Sequence, residues 1–171
     1  EWSAAWAQMQ VHVLEMHGVK DAWIRDVVSF PSPVAPGSGF GVGAHLQNGG
    51  LMVKSSKRVT IADSHLAEAQ NIGGGGCGYL FEVRQSNEVL FRDCSGSKAR
   101  HNFIQNWGFG VTGCVWLRVL SQGGVGGISE TFPGGLSADS EFHHSLATAN
   151  LIDSSVFHDG WSMVNRDNWS S

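Results

Sequence analysis

The chain has 171 residues, a length that suits one domain with a substantial hydrophobic core. Only 15% of the residues are charged and the net charge is −4, so the composition argues against a nucleic-acid partner. The longest apolar runs are far shorter than the roughly 20 residues that a membrane-spanning helix needs. What remains is a chain rich in Gly (23) and Trp (7) that has no membrane span.

The three cysteines are an odd set without the spacing of a metal site. We therefore expect Cys77, Cys94 and Cys114 to be buried thiols, with a single disulfide as the alternative.

Taken in chain order, residues 1–16 are the only stretch with apolar residues at helix-like spacing. From there on, five stretches share one register: an apolar residue, another six positions later, a third after two more, and often an Asp. The five sets are Met16, Ala22, Ile24, Asp26; Val53, Val59, Ile61, Asp63; Val83, Val89, Phe91, Asp93; Phe109, Val115, Leu117, Val119; and the decayed His144, Asn150, Ile152, Ser154. A large apolar residue lies two positions before each set: Leu14, Leu51, Phe81, Trp107 and Phe142. A recurrence of about 26 to 37 residues is typical of a solenoid or other repeat array.

Within each copy, apolar and polar residues alternate with a period of two, which predicts strands with one buried face. Turn-forming residues separate the strands, so the predicted unit is strand, corner, strand, Asp and a second corner. A third strand is expected in some copies, most clearly at 100–104. Asp26, Asp63 and Asp93 are predicted to form turns, and long loops are expected at 29–50, 71–78 and 123–140.

The five register lines, above all 86–94 (Ser-Asn-Glu-Val-Leu-Phe-Arg-Asp-Cys), resemble the right-handed parallel β-helix family, the pectin-lyase-like fold. The resemblance implies an all-β, right-handed parallel β-helix solenoid of about five rungs with long Gly-rich loops, forming one domain over 1–171. Neither end carries the polar capping repeat of a solenoid. We therefore expect a fragment of a longer helix, capped by the rest of the parent protein or by neighbouring subunits.

Stacking of rungs about 4.8 Å apart predicts which side chains share a column. The inward ladder is expected to be Ile24, Ile61, Phe91, Leu117 and Ile152. An exposed basic and aromatic face is expected to bind substrate through Trp23, Arg25, Arg92, Trp116 and Arg118. Arg would meet carboxylates, and Trp would stack on sugar rings. The alternative is that loops cover the Trp residues and that the Arg residues are ordinary solvated surface.

The histidines suggest acid–base chemistry. Lyases of this fold remove the proton next to a uronate carboxylate, which requires a base and a cation that neutralises the carboxylate. We expect catalytic residues among Arg100, His101, His143 and His158, with packing or corner bonding as the alternative role for each histidine. His144 is expected to be buried.

Hydrolases of the fold carry clustered Asp motifs that this chain lacks, so a polygalacturonase-type activity is not expected. Calcium, as a cofactor, would have oxygen ligands only in Asp153, Asp159, Asp139 and Glu141.

The sequence thus suggests an extracellular or cell-surface module that binds or processes an acidic polysaccharide in a lyase-like manner. The alternative is a non-catalytic structural or adhesive segment of a surface protein.

Overall fold

A computed structural model describes residues 10–34, 41–72, 76–106, 108, 110–126, 137–143 and 146–163. Within these residues the chain is all-β, contains no helix, and forms three parallel sheets. The predicted all-β class and parallel pairing are therefore confirmed.

Each sheet collects one strand from successive turns of the chain. Sheet A has the order β1 (His12–His17), β3 (Gly49–Lys54), β6 (Tyr79–Arg84), β9 (His101–Gln105), β12 (Ser140–Phe142) and β15 (Trp161–Met163). Sheet B has the order β13 (Leu151–Asp153), β10 (Val115–Leu117), β7 (Asn87–Arg92), β4 (Lys57–Ala62) and β2 (Lys20–Arg25). Sheet C has the order β14 (Val156–Phe157), β11 (Leu120–Gln122), β8 (Ser95–Ser97) and β5 (His65–Ala67).

The chain visits sheets A, B and C in turn, which is the arrangement of a parallel β-solenoid. The strand predicted at 100–104 is present as β9, but the prediction that it is the third strand of a coil is wrong. Strand β9 pairs with β6 and opens the fourth coil, whereas the third strand of the preceding coil is β8 in sheet C. Residues 12–16, within the stretch of helix-like spacing, belong to strand β1, and residues 1–9 lie outside the described residues.

The inward ladder of sheet B is formed as predicted on four of its five rungs. Ile24 pairs with Ile61 and Ile61 with Phe91, but Phe91 pairs with Trp116, which in turn pairs with Ile152. The prediction of Leu117 at this position is wrong by one residue. Apolar side chains at 115, 116 and 117 fit either face of a strand, so the sequence pattern is ambiguous there. The first strand of the fourth coil was predicted around Trp107 and Phe109, and this is wrong: β9 takes that place, with Phe103 paired to Phe81. Trp107 and Phe109 themselves lie outside the described residues.

Aromatic side chains stack from rung to rung inside the solenoid. The rings of Phe81 and Phe103 are 4.8 Å apart with planes 9° from parallel, and those of Phe91 and Trp116 are 5.6 Å apart. These separations match the spacing of neighbouring strands, so backbone pairing and ring stacking support each other.

The corners after sheet B repeat one unusual backbone conformation. Each coil places a residue with φ between +49° and +58° at the same position: Asp26, Asp63, Asp93, Arg118 and Ser154. Asp tolerates this left-handed region better than most residues, which explains the Asp in three of the five register lines. In the fourth coil this position belongs to Arg118 and not to Val119, because the register of β10 differs by one residue from the predicted one.

Serine hydroxyls satisfy backbone groups just inside the corners. Ser64 Oγ donates to the Ala62 carbonyl (2.8 Å) and accepts the Val27 N–H of the preceding coil (3.2 Å). Ser56 makes the same pair of bonds at the other corner, donating to Lys54 and accepting from Val19. Backbone groups that the turn would otherwise leave buried and unpaired are thus satisfied between coils.

The three cysteines are free and buried, so the thiol prediction is confirmed. Burial raises the pKa of Cys94 and of Cys114 to about 11, which makes both poor nucleophiles.

Substitutions on the fourth coil test its register. Trp116→Ala removes a buried indole and should cost about 3–5 kcal/mol of unfolding free energy. Leu117→Ala, on the partly exposed face, should cost about 1 kcal/mol or less. Chemical denaturation measures both values, and a larger loss for Leu117→Ala would contradict the register.

Candidate functional site

On strands β3, β6, β9 and β12 sheet A is buried on both faces, which distinguishes it from sheet B, whereas its edge strand β1 is largely exposed. Leu51, Phe81 and Val83 belong to the core, so by alternation Glu82 and its row neighbours face away from it. The four members of this outer row on β3, β6, β9 and β12 are nevertheless at most 5% exposed: Met52, Glu82, Ile104 and Glu141. Parallel sheets commonly have both faces covered. Charged groups in this outer layer lie away from water, so their pairing determines their chemistry.

We call the polar side chains gathered over this face the polar layer. Its members are His12, Tyr79, Glu82, Arg84, Arg100, His101, Asn106, Glu141 and His143.

One half of the polar layer is centred on the Glu82 carboxylate. It lies 2.8 Å from His12 Nε2, accepts from Arg84 Nε at 2.5 Å, and accepts from Asn106 Nδ2 at 2.7 Å. Burial opposes ionisation, but the hydrogen bonds from His12 and Arg84 outweigh it and lower the pKa of Glu82. This carboxylate is therefore held in its charged form.

His12 reaches Glu82 by crossing the coil between them. The two residues lie on β1 and β6, and β3 separates these strands in the sheet. The ring passes over Gly49, where a Cβ atom would lie 2.5 Å from the imidazole. Gly49 is needed here for close approach of the His12 ring.

The other half of the polar layer is centred on Glu141. Its Oε1 contacts His143 Nδ1 and lies 3.6 Å from His101 Nε2. His101 Nδ1 donates to the Asp139 carbonyl at 2.5 Å, so in the neutral ring the proton is on Nδ1 and Nε2 carries the lone pair. Among the described residues Nε2 has no hydrogen-bond partner, although the ring is fully buried.

Burial lowers the pKa of His101 to about 4, because desolvation disfavours the imidazolium. Glu141 opposes this effect, and Arg100 adds to it. At neutral pH His101 is thus uncharged, and its contact with Glu141 is not an ion pair.

Arg100 and Tyr79 complete this half of the layer. The Arg100 guanidinium lies 5.8 Å from the centre of the Tyr79 ring, and that ring is 5.1 Å from the His101 ring. The Tyr79 hydroxyl accepts the Gly76 N–H, and burial raises its pKa.

Of the four residues expected to be catalytic, the structure brings three together. His101 and His143, which come from two coils, lie against Glu141, and Arg100 lies over the Tyr79 ring that adjoins His101. His158 is exposed on the coil after β14, with its backbone N–H bonded to Ser121, and is not part of the cluster. His144 lies outside the described residues.

The residues expected to bind substrate are distributed differently. Trp23 is 64% exposed on sheet B, and the Arg25 guanidinium lies 5.0 Å from its ring centre. Trp116 is fully buried in the core, so the prediction that it lies on the outer face is wrong. The physical reason is the one-residue register error in the fourth coil.

Arg118 is exposed and Arg92 is partly exposed, and both are paired with aspartates. Arg118 donates two hydrogen bonds to Asp93, both at 2.7 Å, and this contact lowers the pKa of Asp93. Arg92 lies 3.3 Å from Asp93 and 3.7 Å from Asp63. The corner aspartates thus neutralise much of the positive charge on this face.

The acids considered for calcium do not converge into one set. Asp159 accepts from Asn102 Nδ2 (2.8 Å) and from the Gly124 N–H (3.1 Å), Glu141 faces histidines, and Asp153 is exposed on sheet B. Across the described residues, no group of three or more His, Cys, Asp or Glu is arranged to hold a metal ion.

Of the two carboxylates that organise the polar layer, sequence reasoning missed Glu82 and considered Glu141 only as a calcium ligand. Glu82 and Glu141 lie in the same outer row of sheet A, one on each side of Ile104. The sequence signal for Glu82 is a charged residue in an otherwise apolar strand, Leu-Phe-Glu-Val at 80–83. It was not used, because the outer face of the strand was assumed to be exposed to solvent.

Comparisons with known proteins do not add to this description: no family model matches the chain, and no match was found among curated proteins or solved structures. In the described part of the chain, no helix is long and apolar enough to cross a membrane.

The lowered pKa of His101 predicts acid sensitivity. The unfolded chain takes up this proton near pH 6.5, whereas the folded chain takes it up only near pH 4. Stability should therefore fall by about 2 kcal/mol between pH 7 and pH 5. Urea denaturation at both pH values measures the loss, which His101→Gln should abolish and the exposed control His158→Gln should retain. An equal loss in all three proteins would contradict the assignment to His101.

The path of His12 over Gly49 gives a double-mutant test. Gly49→Ala should displace the ring and break a buried pair, at a cost on the order of 3 kcal/mol. In a His12→Ala background the same change should cost less than about 1 kcal/mol, because the clash is gone. Equal costs of Gly49→Ala in the two backgrounds, measured by denaturation, would contradict this packing.

Proposed function

We propose that this chain is a right-handed parallel β-helix module, acting outside the cell or at its surface, that binds an acidic polysaccharide and cleaves it in a lyase-like manner at the polar layer. The observation that carries the proposal is the contact of His101 and His143 with Glu141, with Arg100 close by over the Tyr79 ring.

The right-handed form follows from a general rule of chain connections. Each passage between neighbouring strands of one sheet is a crossover connection between parallel strands, and such connections are right-handed in about 98% of cases. The pectin-lyase-like class rests on this architecture and on the sequence resemblance.

The chemistry of the cluster suits removal of a proton next to a carboxylate. His101 is neutral, and within the described residues its Nε2 lone pair makes no hydrogen bond, although Glu141 Oε1 lies 3.6 Å away; a general base requires such a lone pair. Arg100 supplies a fixed positive charge in a water-poor setting, where it can stabilise the negative charge that develops on a uronate carboxylate.

The binding face would lie on sheet B. Trp23 offers an exposed ring for stacking on a sugar, and Arg25 beside it offers a guanidinium for a carboxylate. Arg92 and Arg118 would contribute less, because their donors are directed to Asp63 and Asp93.

A non-catalytic structural or adhesive role is the second candidate, and one observation favours it. Arg100 is 6% exposed, His101 is fully buried and Glu141 is 2% exposed, so substrate would reach them only after the covering parts of the molecule move. A spacer would need only the stacked coils and the paired charges on their corners.

A product assay distinguishes the two roles. Pectate, alginate and glycosaminoglycans are incubated with the protein, and unsaturated uronate products are followed by ultraviolet absorbance. The proposal expects product with at least one substrate, and an activity at least about 100-fold lower in Arg100→Ala. Lys98→Ala, which removes a cation from a distant corner, is the matched control. No product and no binding on a glycan array would favour the structural role.

Binding to the same glycans tests the exposed face separately. Trp23→Ala with Arg25→Ala should weaken affinity about 10-fold or more, because both an aromatic platform and an accessible cation are lost. Arg92→Ala with Arg118→Ala should weaken it less, because those arginines are occupied by aspartates. Unchanged affinity in both double variants would rule out sheet B as the binding face.

A further inference from the structure

We propose that residues 10–12 form a lid over the polar layer, fastened by the contact between His12 and Glu82, and that substrate reaches the site when this lid opens. We call residues 10–12 the lid segment. This inference rests on the proposed function and adds to it the part of the molecule that controls entry. Such a part is needed because Arg100 and His101 are at most 6% exposed.

One end of the lid segment lies over the half of the polar layer around Glu82. The His12 ring crosses Gly49 and places Nε2 2.8 Å from Glu82 Oε2. The His12 side chain is only 2% exposed there, so it is packed between the segment and the sheet.

The other end of the lid segment lies toward the second half of the polar layer. The Gln10 side chain rests on Gly76, where a Cβ atom would lie 2.6 Å from Gln10 Cγ. The Gly76 N–H donates to the Tyr79 hydroxyl at 3.1 Å, and the Tyr79 ring adjoins His101. Gly76, like Gly49 in the preceding coil, thus leaves room for a side chain of the lid segment to approach the backbone closely.

The lid segment belongs to a weakly held part of the fold. It leads into β1, the edge strand of sheet A, and Val11 in its middle is 43% exposed. The Val11 carbonyl accepts the Gly49 N–H at 2.8 Å, which ties the segment to β3. Segments with few buried apolar contacts open locally at a cost well below that of global unfolding.

The contact between His12 and Glu82 can break without leaving either charge alone. Glu82 uses Oε2 for His12, whereas its Oε1 accepts hydrogen bonds from Arg84 and Asn106. His12 also keeps a partner, because its Nδ1 lies 3.1 Å from Glu15 Oε1 on the same strand. Breaking a buried pair is most costly when one charge is left uncompensated. The contact can therefore act as the latch of the lid.

Opening of the lid has a direct consequence for binding. It uncovers the Glu82 carboxylate and the side of Tyr79 next to Gly76, and with them the way to Arg100 over the Tyr79 ring. When only a fraction of the molecules can bind, the apparent affinity falls by that fraction. A variant with a weakened latch should therefore bind its substrate more tightly than the unsubstituted protein does.

Hydrogen exchange of single backbone amides tests the lid without any need for activity. The Gly49 N–H, bonded to the lid segment, reports the lid, and the Asp93 N–H, bonded to the next coil, reports the body of the solenoid. H12A should speed exchange at Gly49 about 10-fold or more and leave Asp93 unchanged, because the latch is lost. H17A, at the exposed far end of β1, is the matched control and should change neither rate.

Two results of this experiment would overturn the lid. An unchanged rate at Gly49 would show that His12 does not hold the segment, and equal acceleration at Gly49 and Asp93 would show a general loss of stability. If H12A does not fold, Q10A tests the same opening from the exposed end of the segment. It should speed exchange at Gly76 about 3-fold or more, and an unchanged rate there would also overturn the lid.

Turnover of a substrate found in the product assay then links the lid to the site. H12A should lower KM about 5-fold or more, whereas H17A should leave it unchanged. Product formation with the same KM in H12A as in the unsubstituted protein would overturn the role of the lid in entry. No product from either protein would overturn the proposed function and the entry role with it, and the exchange rates decide separately whether the segment opens.

Discussion

The structure depends on the in-register pairing of each strand with the equivalent strand of the next coil. Backbone bonds set the spacing, and side chains at the same position then stack inward or outward together. The corners must repeat as well, which is why a left-handed residue recurs at Asp26, Asp63, Asp93, Arg118 and Ser154. In four of these five coils the residue in the left-handed conformation is Asp or Ser, which are common in turns. In the fourth coil Arg118 has this conformation, and its guanidinium donates two hydrogen bonds to Asp93.

The same pairing produces two different outer faces. On sheet B the outward columns remain at least partly exposed at most positions, and the charges at their edge neutralise one another at low energetic gain. On the central strands of sheet A the outer face is buried, so each charged group there needs a partner. Glu82 finds three donors, whereas Glu141 lies between two histidines, one of which is neutral. The buried charged and titratable side chains are therefore concentrated over sheet A.

This concentration explains why the same cluster supports both an enzymatic and a structural interpretation. Burial lowers the pKa of His101, and the low polarity strengthens the electrostatic effect of the Arg100 and Glu141 charges on nearby groups. Burial also keeps the cluster from substrate in the conformation seen here. A lyase of this design would need a conformational step that uncovers sheet A before chemistry. A structural module would use the same groups to join coils, as His12 and Glu82 do across Gly49.

The amino-acid sequence by itself determined the period-two strands, the number of coils and the position of most corners, because alternation and turn residues are local signals. It also identified Arg100, His101 and His143 as chemically notable residues. It failed at the fourth coil, where residues 115–117 are apolar on both faces and only pairing with Phe91 selects Trp116 as the inward residue. It also could not show that Glu82 and Glu141 are buried. Whether an outward side chain meets water or protein depends on what packs over the sheet, and only the tertiary structure decides that.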